Sequence, residues 1–231
     1  MNLLGGCIAI IFIFDGNLSV ASYLIFLAGL FDFFDGMAAR LLKVKSEIGK
    51  ELDSLADVIS FGLAPGFIMM KLIQSASGIS TDNSELSRFL PYLALLIPMF
   101  SALRLAKFNI DSRQTDRFIG LPTPANAILV ASLPLILEQH STLTGIELNL
   151  FQTLFINFWF LIVLTLVLSY LLVSEFSLMS LKFSKSDKKK NQPRFLLLGL
   201  SLILVIVLNF AAIPLIFVIY LLMSVFLKSK I

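Results

Sequence analysis

Charge is scarce in this chain. Only 14% of its 231 residues are Asp, Glu, Lys or Arg, against about 25% in a typical soluble domain, while 58% are hydrophobic. Too little polar surface is available to cover a globule in water, so an ordinary soluble domain is excluded and the bilayer is the expected solvent. A lone cysteine, Cys7, rules out an internal disulfide and is read as a small packing residue in an apolar run. The single histidine, His140, stands beside Glu138 in a polar link, where a solvated side chain is expected. A net charge of only +3 gives no support to a nucleic-acid partner.

What the chain has in quantity is long apolar runs. A spanning helix takes about 20 such residues. Runs at 3–14, 19–42, 52–74, 89–109, 119–138, 151–173, 195–209 and 213–227, divided by Gly, Pro, Asn and charged residues, predict an all-α, polytopic membrane bundle of about eight transmembrane helices. The first run is short and lacks both a preceding basic stretch and a clean small-residue cleavage site, so it is read as a span and not as a cleavable leader. Residues 195–227 could form one long kinked helix or a hairpin, and Asn209 and Pro214 near the middle favour the hairpin. Three parts follow: a membrane core over 1–175, a basic loop over 176–194 and a C-terminal hairpin over 195–231.

Basic residues orient the bundle, because short loops retain Lys and Arg on the cytoplasmic side. Arg40, Lys43, Lys45 and Lys50 follow the second run, Arg104, Lys107, Arg113 and Arg117 the fourth, and Lys182 to Arg194 the sixth; Lys228 and Lys230 end the chain. Asp15, Asp82, Glu85, Glu138 and Glu147 occupy the opposite links. Both termini are therefore expected in the cytoplasm. The Lys182 to Arg194 cluster is read as a topology anchor that could also meet anionic headgroups.

The chemistry lies in FDFFDGMAARLLKVKSEIGKELDSLADVISFG, residues 31–62, at the cytoplasmic border of the second and third runs. On helices, Asp32 and Asp35 stand at i and i+3, and Asp53 and Asp57 at i and i+4, so each pair projects from one face. A helical hairpin brings the pairs opposite each other around one cavity. Four carboxylates there repel one another and need a counter-charge or protons. All-oxygen ligation suits Mg²⁺ or Mn²⁺, and no His or Cys lies nearby for zinc. Two such ions can bridge the oxygens of a transferring phosphoryl group. Gly36, Ala38 and Ala39 let a ligand or helix approach, and Arg40 can fork onto a phosphate. Two rivals remain open: helix-end carboxylates paired with Arg40, Lys43, Lys45 and Lys50, and a cation-transport site.

Written as D-x-x-D-G-x-x-A-R-x(8)-G-x-x-x-D-x-x-x-D, the stretch from Asp32 to Asp57 resembles the signature of the CDP-alcohol phosphatidyltransferase family at all eight fixed positions. The later stretches LDSLADVISFGLAPG and RLAKFNIDSRQTDRFIGLPTPANA look like the phosphatidylserine synthase branch, with Lys107 where arginine is common. The resemblance covers about residues 3–175. It implies an integral membrane enzyme, usually a homodimer, that uses two Mg²⁺ or Mn²⁺ ions to move the phosphatidyl group of CDP-diacylglycerol to L-serine, releasing CMP. By that resemblance Asp32, Asp35, Asp53 and Asp57 are metal ligands, Asp57 is also the general base, and Gly36, Ala39, Arg40 and Gly49 meet the CDP moiety. Arg104, Asn109, Lys107 and Arg113, with Arg117 beyond them, are candidate partners for the acceptor or a phosphate. A direct displacement is expected, in a prokaryotic cytoplasmic membrane with the site facing the cytoplasm. Glycerol 3-phosphate or an inositol phosphate remains open as the acceptor.

Overall fold

In the computed structural model, residues 1–42, 46–79, 88–110, 118–139, 154–155, 157–179 and 188–228 are described. Helix α1 (Asn2–Phe14) and helix α2 (Leu18–Leu41) form a tight antiparallel pair. Gly16, at φ +83°, turns the chain between them, and Asn17 Oδ1 accepts from the Val20 N–H at 3.2 Å to open α2. Cys7 is exposed on α1, which corrects its reading as a packing residue.

Helix α3 (Glu47–Asp57) begins where Ser46 Oγ accepts from the Gly49 N–H at 2.9 Å. After Asp57 the chain runs through a π-helical segment, Val58–Leu63, into α4 (Ala64–Ile79). Such a segment widens the helix by one residue per turn and re-aims the side chains on either side of it. Leu90–Leu95 forms a 3₁₀ turn started by Pro91, and α5 (Leu96–Ile110) follows.

The centre of the bundle is α6 (Thr123–Glu138), which packs against α2, α4, the π segment and the C-terminal helices. Ala127, Val130, Ala131 and Leu133 on it are fully buried. Small residues permit the close crossings on which membrane helix packing depends. A β-carbon on Gly66 of α4 would come within 2.7 Å of Pro98 Cδ on α5, so the two helices meet there backbone to ring.

Helix α7 (Phe158–Val173) is capped by Asn157, whose Oδ1 accepts from the Phe160 N–H at 3.0 Å. Beyond it lies a feature outside the all-α expectation. Strand β1 (Phe118–Ile119) pairs antiparallel with β2 (Ser177–Leu178), tying the loop after α5 to the chain after α7. Gly120 ends β1 at φ +74°, and a side chain there would press on the Leu172 carbonyl at 2.9 Å.

Helix α8 (Lys188–Leu208), a 3₁₀ turn over Asn209–Ala211 with Asn209 at φ 51°, and α9 (Ala212–Lys228) complete the chain. Tyr220 Oη of α9 donates to the Met179 carbonyl at 3.0 Å, and Ser224 Oγ accepts from the Met179 N–H at 3.2 Å. The last helix is thereby fastened to the segment beyond β2.

Among the described residues, four stretches are by length and composition apolar enough to cross a membrane: Leu18–Ala39, Glu47–Ala76, Leu90–Ile110 and Asn191–Val225. Three apolar helices are shorter, at Asn2–Phe14, Thr123–Glu138 and Phe158–Val173. Among the described residues the fold is that of an all-α membrane protein apart from the ribbon.

Candidate active site

The site forms where the end of α2 meets α3. Asp32 and Asp35 lie in the closing turns of α2, and the Ser46 cap sets the start of α3 so that Asp53 and Asp57 fall one turn apart. Asp32 stands within hydrogen-bonding reach of both Asp53 and Asp57. Asp35 is 62% exposed and acts on Asp32 and Asp53 through its charge. Asp57, at the junction with the π segment, is 8% exposed.

Two further side chains complete the cluster. Asn2 Nδ2, from the first turn of α1, donates to Asp57 Oδ1 at 2.9 Å and to Asp32 Oδ1 at 3.2 Å. Arg104 of α5 is 7% exposed, faces the charge of Asp57 and lays its guanidinium 5.8 Å from the Phe108 ring centroid, while its Nε has no hydrogen-bond partner. A buried guanidinium N–H without an acceptor is costly, and an anionic ligand group would satisfy it.

Among the described residues, no three acidic, histidine or cysteine side chains are gathered closely enough to hold an ion as they stand. The donor set nevertheless fits a hard divalent cation. Asp32 bridges Asp53 and Asp57, every candidate donor is a carboxylate oxygen, and like charges in contact at a low-dielectric border call for a counter-ion.

The other residues singled out from sequence fall less uniformly. Asn109 Nδ2 donates to Ser54 Oγ at 2.9 Å and its carbonyl accepts from Lys50 Nζ at 3.1 Å, so the end of α5 is pinned to α3 on either side of Asp53. Lys107 is exposed, as are Ala39 and Gly49, and Gly36 is half-buried. Gly49 also serves its own helix, since a β-carbon there would stand 2.8 Å from the capping Ser46 Oγ. The Arg40 side chain, Arg113 and Arg117 lie outside the described residues, as do His140 and most of the Lys182 to Arg194 cluster. Sequence reasoning missed Asn2 and Ser60. The signal for Asn2 was available, because a lone amide at the head of an apolar run stands at the edge of hydrocarbon and wants a partner.

Residues 1–169 match the family model described as CDP-alcohol phosphatidyltransferase. The chain belongs to that family. Among similar proteins, a Bacillus subtilis (strain 168) CDP-diacylglycerol–serine O-phosphatidyltransferase is 35% identical over 127 residues, covering 53% of this chain and 64% of the relative. A Helicobacter pylori (strain ATCC 700392 / 26695) protein of the same name is 34% identical over 148 residues, 63% of this chain and 59% of the relative. An archaetidylserine synthase of Methanothermobacter thermautotrophicus is 38% identical over 135 residues, 57% of this chain and 53% of the relative. The chain thus spans between about half and two thirds of the length of these relatives. Family membership puts the eight motif residues from Asp32 to Asp57 inside the matched region.

Proposed function

We propose that this chain transfers the phosphatidyl group of CDP-diacylglycerol to the hydroxyl of L-serine, giving phosphatidylserine and CMP. The observation that carries the reading is the meeting of Asp32 with Asp53 and Asp57 beside the buried Arg104, whose Nε lacks a hydrogen-bond partner. The names of the similar proteins support serine as the acceptor.

The family uses divalent metal ions, and Asp32, Asp35, Asp53 and Asp57 would hold them here, supplying positive charge to the diphosphate. The hydroxyl oxygen attacks the phosphorus that bears the diacylglycerol. Its proton passes to Asp57, the bond from that phosphorus to the bridging oxygen breaks, and CMP departs with the electron pair. Asp57 suits the task because it is the most enclosed of the four carboxylates and lies at a helix junction that fixes its direction. Arg104, next to it, is placed to receive the carboxylate of the acceptor, with Asn109 holding that end of α5 against α3. Gly36, Ala39, Arg40 and Gly49 are assigned to the CDP moiety. Lys107 and Arg113 are assigned to phosphate or acceptor charge. No Ser, Cys or His nucleophile enters, so the transfer is a single displacement.

The same reading has the chain cross the membrane about eight times, with the short helices tilted or set in a thinned region, the hairpin over 195–231 closing the bundle and the basic residues holding the aspartates and both termini at the cytoplasmic face. A homodimer in a prokaryotic cytoplasmic membrane completes it.

The test is CMP release by the purified protein in detergent with CDP-diacylglycerol and Mn²⁺. Serine, glycerol 3-phosphate, inositol phosphate and no acceptor are compared, each with and without chelator. Metal-dependent release above background with serine alone is the expected result. Release with another alcohol alone would overturn the acceptor, and none with any acceptor would overturn the chemistry.

A further inference from the structure

Asn2 is 5% exposed, and its amide does something no other described side chain does: it bonds one carboxylate from each half of the acidic motif. Both hydrogens of Nδ2 are used, one on Asp57 Oδ1 at 2.9 Å and one on Asp32 Oδ1 at 3.2 Å. Both bonds go to Oδ1, so Asn2 does not occupy the second oxygen of either carboxylate. The amide cannot be turned over, because Oδ1 would then face two carboxylate oxygens. Its Oδ1 is itself buried without a partner, a costly arrangement that the two carboxylates impose.

The backbone of Asn2 is held as firmly as its side chain. Ser60, fully buried in the π segment after Asp57, donates from Oγ to the Asn2 carbonyl at 3.0 Å. Gly6, one turn along α1, lies so close to Ser60 that a β-carbon there would stand 2.7 Å from Ser60 Cα. The π segment that directs Asp57 and the helix that carries Asn2 are therefore docked on each other by the residues next to the site.

We propose that Asn2 is a positioning residue for the transfer. One amide clamps Asp32 and Asp57, fixes their rotamers before ligands arrive, and presents the second oxygen of Asp57 to the acceptor hydroxyl and that of Asp32 to the metal. The proposal rests on the function assigned above and assigns Asn2 a role by its contacts alone.

The test uses the full chain in detergent and the variants Asn2→Ala, Asn2→Gln and Gly6→Ala. Mn²⁺ affinity by electron paramagnetic resonance, kcat and KM for serine, and thermal stability are measured for each. Asn2→Ala is expected to lower kcat roughly 10- to 100-fold and to weaken Mn²⁺ binding roughly 10-fold, as loss of a group orienting metal ligands does. KM for serine should stay within about twofold, the scale of no lost contact. Gly6→Ala, which displaces α1 while keeping the amide, should fall between wild type and Asn2→Ala, and Asn2→Gln should restore part of the loss. Unchanged kcat and Mn²⁺ affinity in Asn2→Ala would overturn the proposal. So would a loss of activity matched by lost folded protein, with Mn²⁺ bound normally by the folded remainder. If wild type releases no CMP with any acceptor, the assigned function fails, and weaker Mn²⁺ binding by Asn2→Ala would still uphold the clamp. Wild type that binds no Mn²⁺ overturns both.

Discussion

Of the four long apolar stretches, Glu47–Ala76, which contains Asp53 and Asp57, is mostly buried inside the protein (72% of its apolar part), whereas Asn191–Val225, the most apolar of the four, is 11% buried. In water the order would be reversed. In a bilayer, hydrocarbon tails solvate Leu and Ile as well as a protein core does, so apolarity does not decide which helix goes inside. Close approach and polar pairing decide it. Glu47–Ala76 carries Gly62 against Ser101, Gly66 against Pro98 and Ser60 against the Asn2 carbonyl, while Gly199 of α8 has nothing within 4 Å where a β-carbon would stand.

The largest expected effect tests the buried region at its chemical end. Asp57→Asn keeps the shape but removes the proton acceptor, so CMP release should fall by about 10³-fold or more, with the melting temperature in detergent nearly unchanged. Near-normal turnover would sink the assignment of Asp57. Asp32→Asn and Asp53→Asn should each raise the Mn²⁺ concentration for half-maximal release by roughly 10- to 100-fold, read from a metal titration. An unchanged titration would remove them from the ligand set.

Smaller effects sharpen the packing contrast directly. Gly66→Ala sets a β-carbon 2.7 Å from Pro98 Cδ and should destabilise the protein by about 1–3 kcal/mol, seen as a lower midpoint of thermal unfolding in detergent. Gly199→Ala on α8 meets no atom and should be neutral or stabilising by up to about 1 kcal/mol, the cost of glycine in a helix. Ile206→Ala, at a side chain 72% exposed, should shift stability by less than about 0.5 kcal/mol despite deleting a large hydrophobe. Equal losses at Gly66 and Ile206 would mean that apolar area, and not close fit, sets the energetics of this bundle.

Much of the bundle was legible in advance because its signals are local. Helix positions follow runs of apolar residues, and breaks at Gly16 and Asn209 bring their own backbone preference for positive φ. The aspartate spacing is equally local, since three or four residues of helix put two side chains on one face whatever surrounds them. The ribbon between Phe118–Ile119 and Ser177–Leu178 was not legible. Two-residue strands carry no periodicity, and their pairing joins segments nearly sixty residues apart. The π segment escaped notice for a related reason: Val58–Leu63 reads as an apolar continuation of its helix, and only the packing of α1, α5 and α6 around it accounts for the extra residue.

Sequence alone determined that this chain lives in a membrane, that its basic residues cluster in a few links between apolar runs, and that four carboxylates stand in two helical pairs with the spacing of the CDP-alcohol phosphatidyltransferase family. Those properties belong to composition and to neighbours along the chain. Tertiary structure decided which carboxylate is enclosed, that Asn2 joins Asp32 to Asp57, and that Arg104 faces Asp57 with an unpaired N–H. Each of those contacts joins residues 30 to 55 positions apart or on helices separated by others, and no periodicity encodes a meeting of that kind; it follows from how small residues let the helices close on one another.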